Sequence, residues 1–143
     1  METNRAAEWG REVANYFLAQ RVANPFLLAA KFGWRVVLEN DETSDGSPPR
    51  FAEWDGSRRL IRLFISTLRR HFDISTMSLQ RACAHELFHG LAALDYLPLP
   101  AAGLQSRFTG LNHREEEIAA QAFSQALLTP SLEEALCQLS VSR

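Results

Sequence analysis

The 143-residue sequence predicts a single α+β domain spanning residues 1–143, and three observations carry that prediction. Helical periodicity occupies the N-terminal stretch, short β-like runs bounded by turn residues fill the middle, and Ala- and Leu-rich helical patterns dominate the second half. The composition, 46% apolar and 22% charged, is that of an ordinary globular domain, long enough to bury about 70% of the surface its unfolded form exposes. Such a domain needs no disulfide or structural metal to remain folded, so any metal site must serve another purpose.

Trp9, Val13, Phe17 and Leu18 recur at helical spacing within residues 5–21, with Arg5, Arg11 and Glu12 between them, and predict an amphipathic helix. Asn24 before Pro25 is an N-cap with proline at the first helical position, and the run Phe26 to Phe32 stops at Gly33, which predicts a short second helix. Trp34, Val36 and Leu38 alternate with Arg35, Val37 and Glu39 and predict a strand, followed by a flexible loop from Asn40 to Pro49. Phe51 and Trp54 before Asp55-Gly56, then Leu60, Ile61, Leu63, Phe64 and Ile65, read as a hairpin or meander with a tight turn near residues 55–58; a small antiparallel sheet of about three strands is expected.

Thr76 or Ser78 is the expected N-cap of a long helix running to about Leu94. Residues 95–111, with Pro98, Pro100, Gly103 and Gly110, predict a long irregular connection. Asn112 with Glu115 three residues on forms a capping-box start for a helix that Thr129-Pro130 ends, and Ser131 with Glu134 begins a final short helix to about residue 140.

Fifteen Lys and Arg against 17 Asp and Glu leave a net charge of −2. That balance gives no electrostatic footprint for nucleic acid and favours a protein partner. Arg69, Arg70 and His71, near Arg58, Arg59 and Arg62, form the densest basic cluster and read as solvated surface. Cys83 and Cys137 are too few for a disulfide framework and show no C-x-x-C spacing, which fits a reducing compartment, by default the cytoplasm. Both read as small core residues. The segment METNRAAEWGRE has no apolar region behind it and no run of 18 uncharged apolar residues occurs, so neither secretion nor membrane spanning is expected.

The strongest chemical signal is His85-Glu86-Leu87-Phe88-His89, an H-E-x-x-H motif in the middle of the long predicted helix. Residues four apart project from one helix face about one turn apart, so two imidazoles can converge on one ion without distorting the backbone. Zn²⁺ prefers such nitrogen ligands. Glu86 falls beside the ion without ligating it, where a carboxylate serves as general base towards water of lowered pKa.

A catalytic zinc site takes a third protein ligand and keeps an open position. Glu117, 28 residues after His89 in REEEIAAQAFSQALLTP, is one candidate, and it would give the His, His, Glu set of thermolysin-like enzymes. His113, Glu115 and Glu116 compete for the role, and a run of three Glu at a helix start also complements the helix dipole. His113 is read either as a residue of the cleft edge, able to hydrogen-bond an oxyanion, or as an exposed residue of the capping region.

In these two segments the chain resembles the ImmA/IrrE-type zinc metallopeptidases, whose signature is an A-H-E-L-G-H helix followed by a helix of the form E-x-x-A-N-x-F-A-x-x-L-L-x-P. Here they read AHELFH, residues 84–89, and EIAAQAFSQALLTP, residues 117–130. A short helix feeding LLAAKFGWRVV and a strand pair ending in LIRLFIS stand upstream in the same order, so the resemblance spans roughly residues 24–130. It implies a zincin-like metallopeptidase domain with the motif on a central helix and a small antiparallel sheet packed on helices. It also implies Zn²⁺ held gluzincin-fashion by His85, His89 and Glu117, and Glu86 as general base in hydrolysis of a peptide bond. Family members are associated with inactivating DNA-binding repressors, so the implied partner is a protein of that kind, with neither direct nucleic-acid binding nor a membrane involved.

The sequence departs from the family pattern at four places. Phe88 replaces Gly before the second His, a ring that either narrows the cleft or docks in the core. Gln121 stands where Asn or Asp is usual, so a hydrogen bond from there to a ligand would be longer and uncharged. Ser124 replaces Ala and Thr129 replaces Met, both tolerable in a packed helix end. Phe88 and Gln121 motivate an alternative function, a non-proteolytic module that binds a regulator and keeps a structural or vestigial metal. A zinc-free helical interaction domain with an accidental motif is the third reading.

Overall fold

A computed structural model describes residues 3–40, 50–71, 75–94, 96–97 and 111–128. The expected loop at 41–49, nearly all of the connection 95–111, the stop at Thr129-Pro130 and the final helix with Cys137 lie outside the described residues. The elements are α1 (Thr3–Ala19), α2 (Pro25–Lys31), β1 (Arg35–Glu39), β2 (Ala52–Asp55), β3 (Leu60–Phe64), α3 (Ile65–His71), α4 (Thr76–Ala93) and α5 (His113–Leu128). This is a mixed α+β arrangement of five helices and a three-stranded sheet among the described residues.

Local chemistry explains most boundaries. Asn24 Oδ1 accepts the N–H groups of Phe26 (2.9 Å) and Leu27 (3.4 Å), Pro25 opens α2, and Gly33 at φ +78° turns the chain out of it. The N-cap of α4 is Ser75, one residue ahead of the expected Thr76 and three ahead of Ser78. Ser75 Oγ accepts from the Ser78 N–H at 3.1 Å and Ser78 Oγ accepts from the Ser75 N–H at 3.0 Å, so a serine replaces the usual Glu in the reciprocal box. At α5 the predicted pair forms as read: Asn112 Oδ1 accepts from Glu115 N–H at 2.8 Å and Glu115 Oε1 from Asn112 N–H at 3.0 Å.

The sheet corrects one expectation. It is mixed, not antiparallel, with strand order β1-β3-β2: β2 pairs antiparallel with β3, but β1 pairs parallel with β3, Arg35 to Leu60 through Glu39 to Phe64. The hairpin is as predicted, turned by Asp55, whose Oδ1 accepts from the Ser57 N–H (3.1 Å), the Ser57 hydroxyl (2.7 Å) and the Arg58 N–H (3.2 Å). What alternation along β1 could not say is which partner it chooses. β3 is the most buried strand and takes the centre, where both edges are paired, leaving β1 and β2 outside. Arg62 on β3 reaches Glu53 (2.8 Å) and Asp55 (3.4 Å) on one neighbour and Glu39 (3.3 Å) on the other, tying the three strands.

A second difference is α3. The apolar run read as strand to Ile65 ends at Phe64, and Ile65–His71 forms a helix that buries Thr67 and Leu68. Arg69, Arg70 and His71 fall in its exposed last turn, where positive charge complements the helix C-terminus. They remain the solvated surface expected of them.

The core lies between α1, α4 and α5, with α4 also meeting α2, β2 and β3. Val13 and Phe17 of α1, Leu87, Phe88 and Leu91 of α4, and Ala119 and Phe123 of α5 meet there; the Phe88 and Phe123 rings lie 5.5 Å apart. Gly10 sets the α1–α5 distance, because a Cβ at that position would lie 2.1 Å from the Ala119 carbonyl oxygen. Gly10→Ala therefore forces two helix backbones apart. Urea denaturation is expected to show a loss of about 1–3 kcal/mol, the usual cost of overpacking, and an unchanged midpoint would contradict the close approach.

Candidate metal centre

α4 presents His85 and His89 on one face because its other face is committed to the core, where Cys83, Ala84, Leu87, Phe88 and Leu91 are all buried. Phe88 thus docks in the core; its ring does not narrow the cleft. The Nε2 atoms of His85 and His89 stand 3.3 Å apart.

The capping box that starts α5 sets the rotation of the three glutamates behind it, and each does something different. Glu115 is turned into the cap, where the hydrogen bond from the Asn112 backbone, chief among several causes, holds its carboxylate below the ordinary range. Glu116 Oε2 lies 2.6 Å from His89 Nδ1, the ring nitrogen facing away from His85. Glu117 spans both imidazoles, Oε2 at 3.0 Å from His85 Nε2 and Oε1 at 2.8 Å from His89 Nε2. Of the four residues that competed for the third position, Glu117 is the one whose carboxylate meets both ring nitrogens. His113 is exposed at the first residue of α5.

This donor set fits a cation. Glu116 fixes the proton of His89 on Nδ1, which leaves a lone pair on Nε2, and that lone pair faces the Glu117 carboxylate and the His85 nitrogen. Lone pairs this close repel unless a proton or a metal ion sits among them. Ligand atoms at about 2.0–2.1 Å from a tetrahedral zinc lie about 3.3 Å from one another, close to the separations found here. His85, Glu86 and His89 also form a group whose ligand-capable atoms all lie within 4.8 Å of one another, so the site holds several donors for one metal ion.

Charge and burial shape the titration of each group. Burial lowers the His85 pKa, helped by His89 and opposed by Glu117. Burial acts in the same direction on His89, but the Glu116 hydrogen bond and the charges of Glu86, Glu117 and Glu116 outweigh it and hold His89 above its ordinary value. Glu86 is pushed up, chiefly by burial, against a hydrogen bond donated by the Trp54 backbone N–H. Cys83 is buried and its thiol is pushed up to about 12, chiefly by desolvation, which fits the core residue read from sequence and not a thiolate ligand.

Two contributors escaped the sequence. Trp54 is one: its backbone bears on Glu86, and Gly90 leaves room for its ring, since a Cβ there would meet the Trp34 and Trp54 rings at 3.0–3.2 Å, where the two indoles lie 4.6 Å apart and tilted at 48°. Glu116 as the partner of His89 was the other; its only sequence signal was the run of three glutamates. Gln121 is exposed and lines the cleft rather than backing a ligand. The site opens into a cleft of about 710 Å³ between α4, α5 and the start of β2.

Compared with protein families, with characterised proteins and with solved structures, the chain matches none of them. No helix among the described residues is long and apolar enough to cross a membrane.

Carboxylates that orient a ligating histidine typically contribute 10–100-fold to metal affinity. Glu116→Ala should accordingly weaken Zn²⁺ binding by about that factor in competition with a chromophoric chelator, and Glu116→Gln, which keeps an acceptor, by less. Equal affinities for the three proteins would remove Glu116 from the site.

Proposed function

We propose that the chain is a zinc-dependent peptidase of the ImmA/IrrE type, with His85, His89 and Glu117 as metal ligands and Glu86 as general base. The observation that carries this reading is the convergence of both Nε2 atoms and the Glu117 carboxylate, from two helices, at the base of an open cleft that Glu86 also lines. A domain with this core does not need the ion for folding, so the metal serves chemistry.

A zinc ion held by these residues supplies Lewis acidity, polarising a peptide carbonyl and lowering the pKa of water. The chain's own residues do the rest. Glu116 keeps the His89 tautomer in which Nε2 faces the site. The Trp54 N–H faces the Glu86 carboxylate, and burial makes that carboxylate a stronger base than an exposed one. Glu86 accepts a proton from water as the water oxygen bonds to the carbonyl carbon. It then delivers that proton to the nitrogen as the C–N bond breaks, leaving a carboxylic acid and an amine. The substrate is a protein or peptide in extended form, which fits a cleft walled by β2 on one side and α5 on the other. A DNA-binding repressor is the partner class that the family resemblance suggests.

The test uses zinc-loaded full-length protein and Glu86→Gln. The variant should retain zinc and lose at least 10²-fold of peptide hydrolysis, the usual range for a general base being about 10²–10⁴. Hydrolysis unaffected by the substitution, or a purified protein that takes up no zinc, would refute the proposal.

A further inference from the structure

Beyond the metal-facing groups, the cleft contains one other ionised side chain among the described residues. Arg81 lies on α4 four residues before His85, exposed in the same cleft as His85, Glu86 and Glu117. Among the described residues its side chain makes no hydrogen bond or ion pair. The other described residues lining the cleft on either side of it are neutral: Gln121 stands on the α5 wall, one turn beyond Glu117, and Met77 and Ala82 line the α4 side.

The root of Arg81 is fixed although its head is not. Ser124 Oγ donates to the Arg81 carbonyl at 3.1 Å, a bond joining α4 to α5 directly beneath the cleft. Ser124 is one of the positions where the chain departs from the family pattern, and its hydroxyl anchors the residue that carries the cation. Four residues of helix advance about 6 Å along the axis, the span of about two residues of extended peptide. A guanidinium presents a planar fork of N–H donors matched to a carboxylate, and pairing within a cleft is worth more than pairing on open surface.

We infer that Arg81 is a specificity-determining residue that selects substrates bearing a carboxylate about two residues from the scissile bond. This rests on the peptidase reading above. The carboxylate is either an Asp or Glu side chain or the C-terminus of the chain being cut, and the two sources are separable.

The experiment uses two degenerate peptide libraries, one blocked by N-acetyl and C-amide groups and one with free C-termini, digested by zinc-loaded protein and by its Arg81→Met and Arg81→Glu variants. With wild type, Asp and Glu should be enriched about tenfold or more two residues from the cut in the blocked library, or cuts should cluster two residues from the end in the free one. Arg81→Met should abolish the enrichment and Arg81→Glu should invert it towards Lys and Arg. Cleavage without acidic or terminal preference, or a preference that survives both substitutions, overturns this inference and leaves the peptidase reading standing. If the zinc-loaded wild type cuts neither library, the peptidase reading has failed. Binding then decides the role of Arg81: acetyl-Ala-Ala-Glu-Ala-amide should bind the zinc-loaded protein at least tenfold tighter than its Gln counterpart, and Arg81→Met should equalise them. Equal binding to wild type overturns it.

Discussion

Two imidazole nitrogens 3.3 Å apart and a carboxylate whose oxygens lie 3.0 and 2.8 Å from them cannot all keep bare lone pairs in that space without positive charge among them. Holding them there is the constraint to which the rest of the structure answers. His85 and His89 satisfy half of it by helix geometry alone, since residues four apart share a face. Glu117 must be brought from a helix more than two dozen residues further on, and everything that fixes α5 against α4 contributes to that placement. Gly10 lets α1 lie against the back of α5, Phe88 and Phe123 fill the space between α4 and α5, and Ser124 bonds across the two helices. A small rotation of α5 would carry the carboxylate off both nitrogens, so the capping box at Asn112 and Glu115, remote from the chemistry, sets its geometry.

The electrostatics follow from the same placement. Glu86, Glu116 and Glu117 stand around two histidines, and the response is divided between the rings. His89, backed by Glu116, is held towards its charged form, whereas His85, more governed by burial and by its charged neighbour, is held away from it. One proton thus occupies part of the space a divalent ion would take. A metal ion taking its place would displace that proton, exchanging one form of positive charge for another.

Much of this was legible in the sequence because it depends on local chemistry. The N-cap at Asn24, the turn at Asp55, the box at Asn112 and the shared face of His85 and His89 are all decided within four residues, and each forms as read. The rest is decided by tertiary partners. Alternation along Val36 to Leu38 announces a strand but not its neighbour, so the parallel pairing of β1 with β3 was invisible. A helix could not be foreseen at Ile65–His71, where a β-like apolar run simply continues in sequence past the strand's last residue. Phe88 left two positions open, cleft or core, and only the packing of Phe123 opposite it chooses the core. Glu115, Glu116 and Glu117 are chemically identical; their roles differ because successive helix residues are rotated by about 100°. The family resemblance singled out Glu117, but nothing in the string of letters distinguished the residue behind His89 from the residue in the cap.

The approach of the Trp54 backbone N–H to Glu86 has a consequence for the sheet as well as for the carboxylate. β2 is an edge strand, and because the Phe64 N–H bonds to Phe51, the peptide groups of Ala52 and Trp54 are the ones turned outward. An unoccupied edge accepts an extended partner in many frames, slipping two residues at a time. Here the outward N–H at Trp54 faces the Glu86 carboxylate, so a chain laid along β2 would meet no competitor at Ala52 but would compete with Glu86 for the N–H at Trp54. The carboxylate would therefore act as a stop one residue before the end of the strand, limiting the frames open to an extended chain laid there.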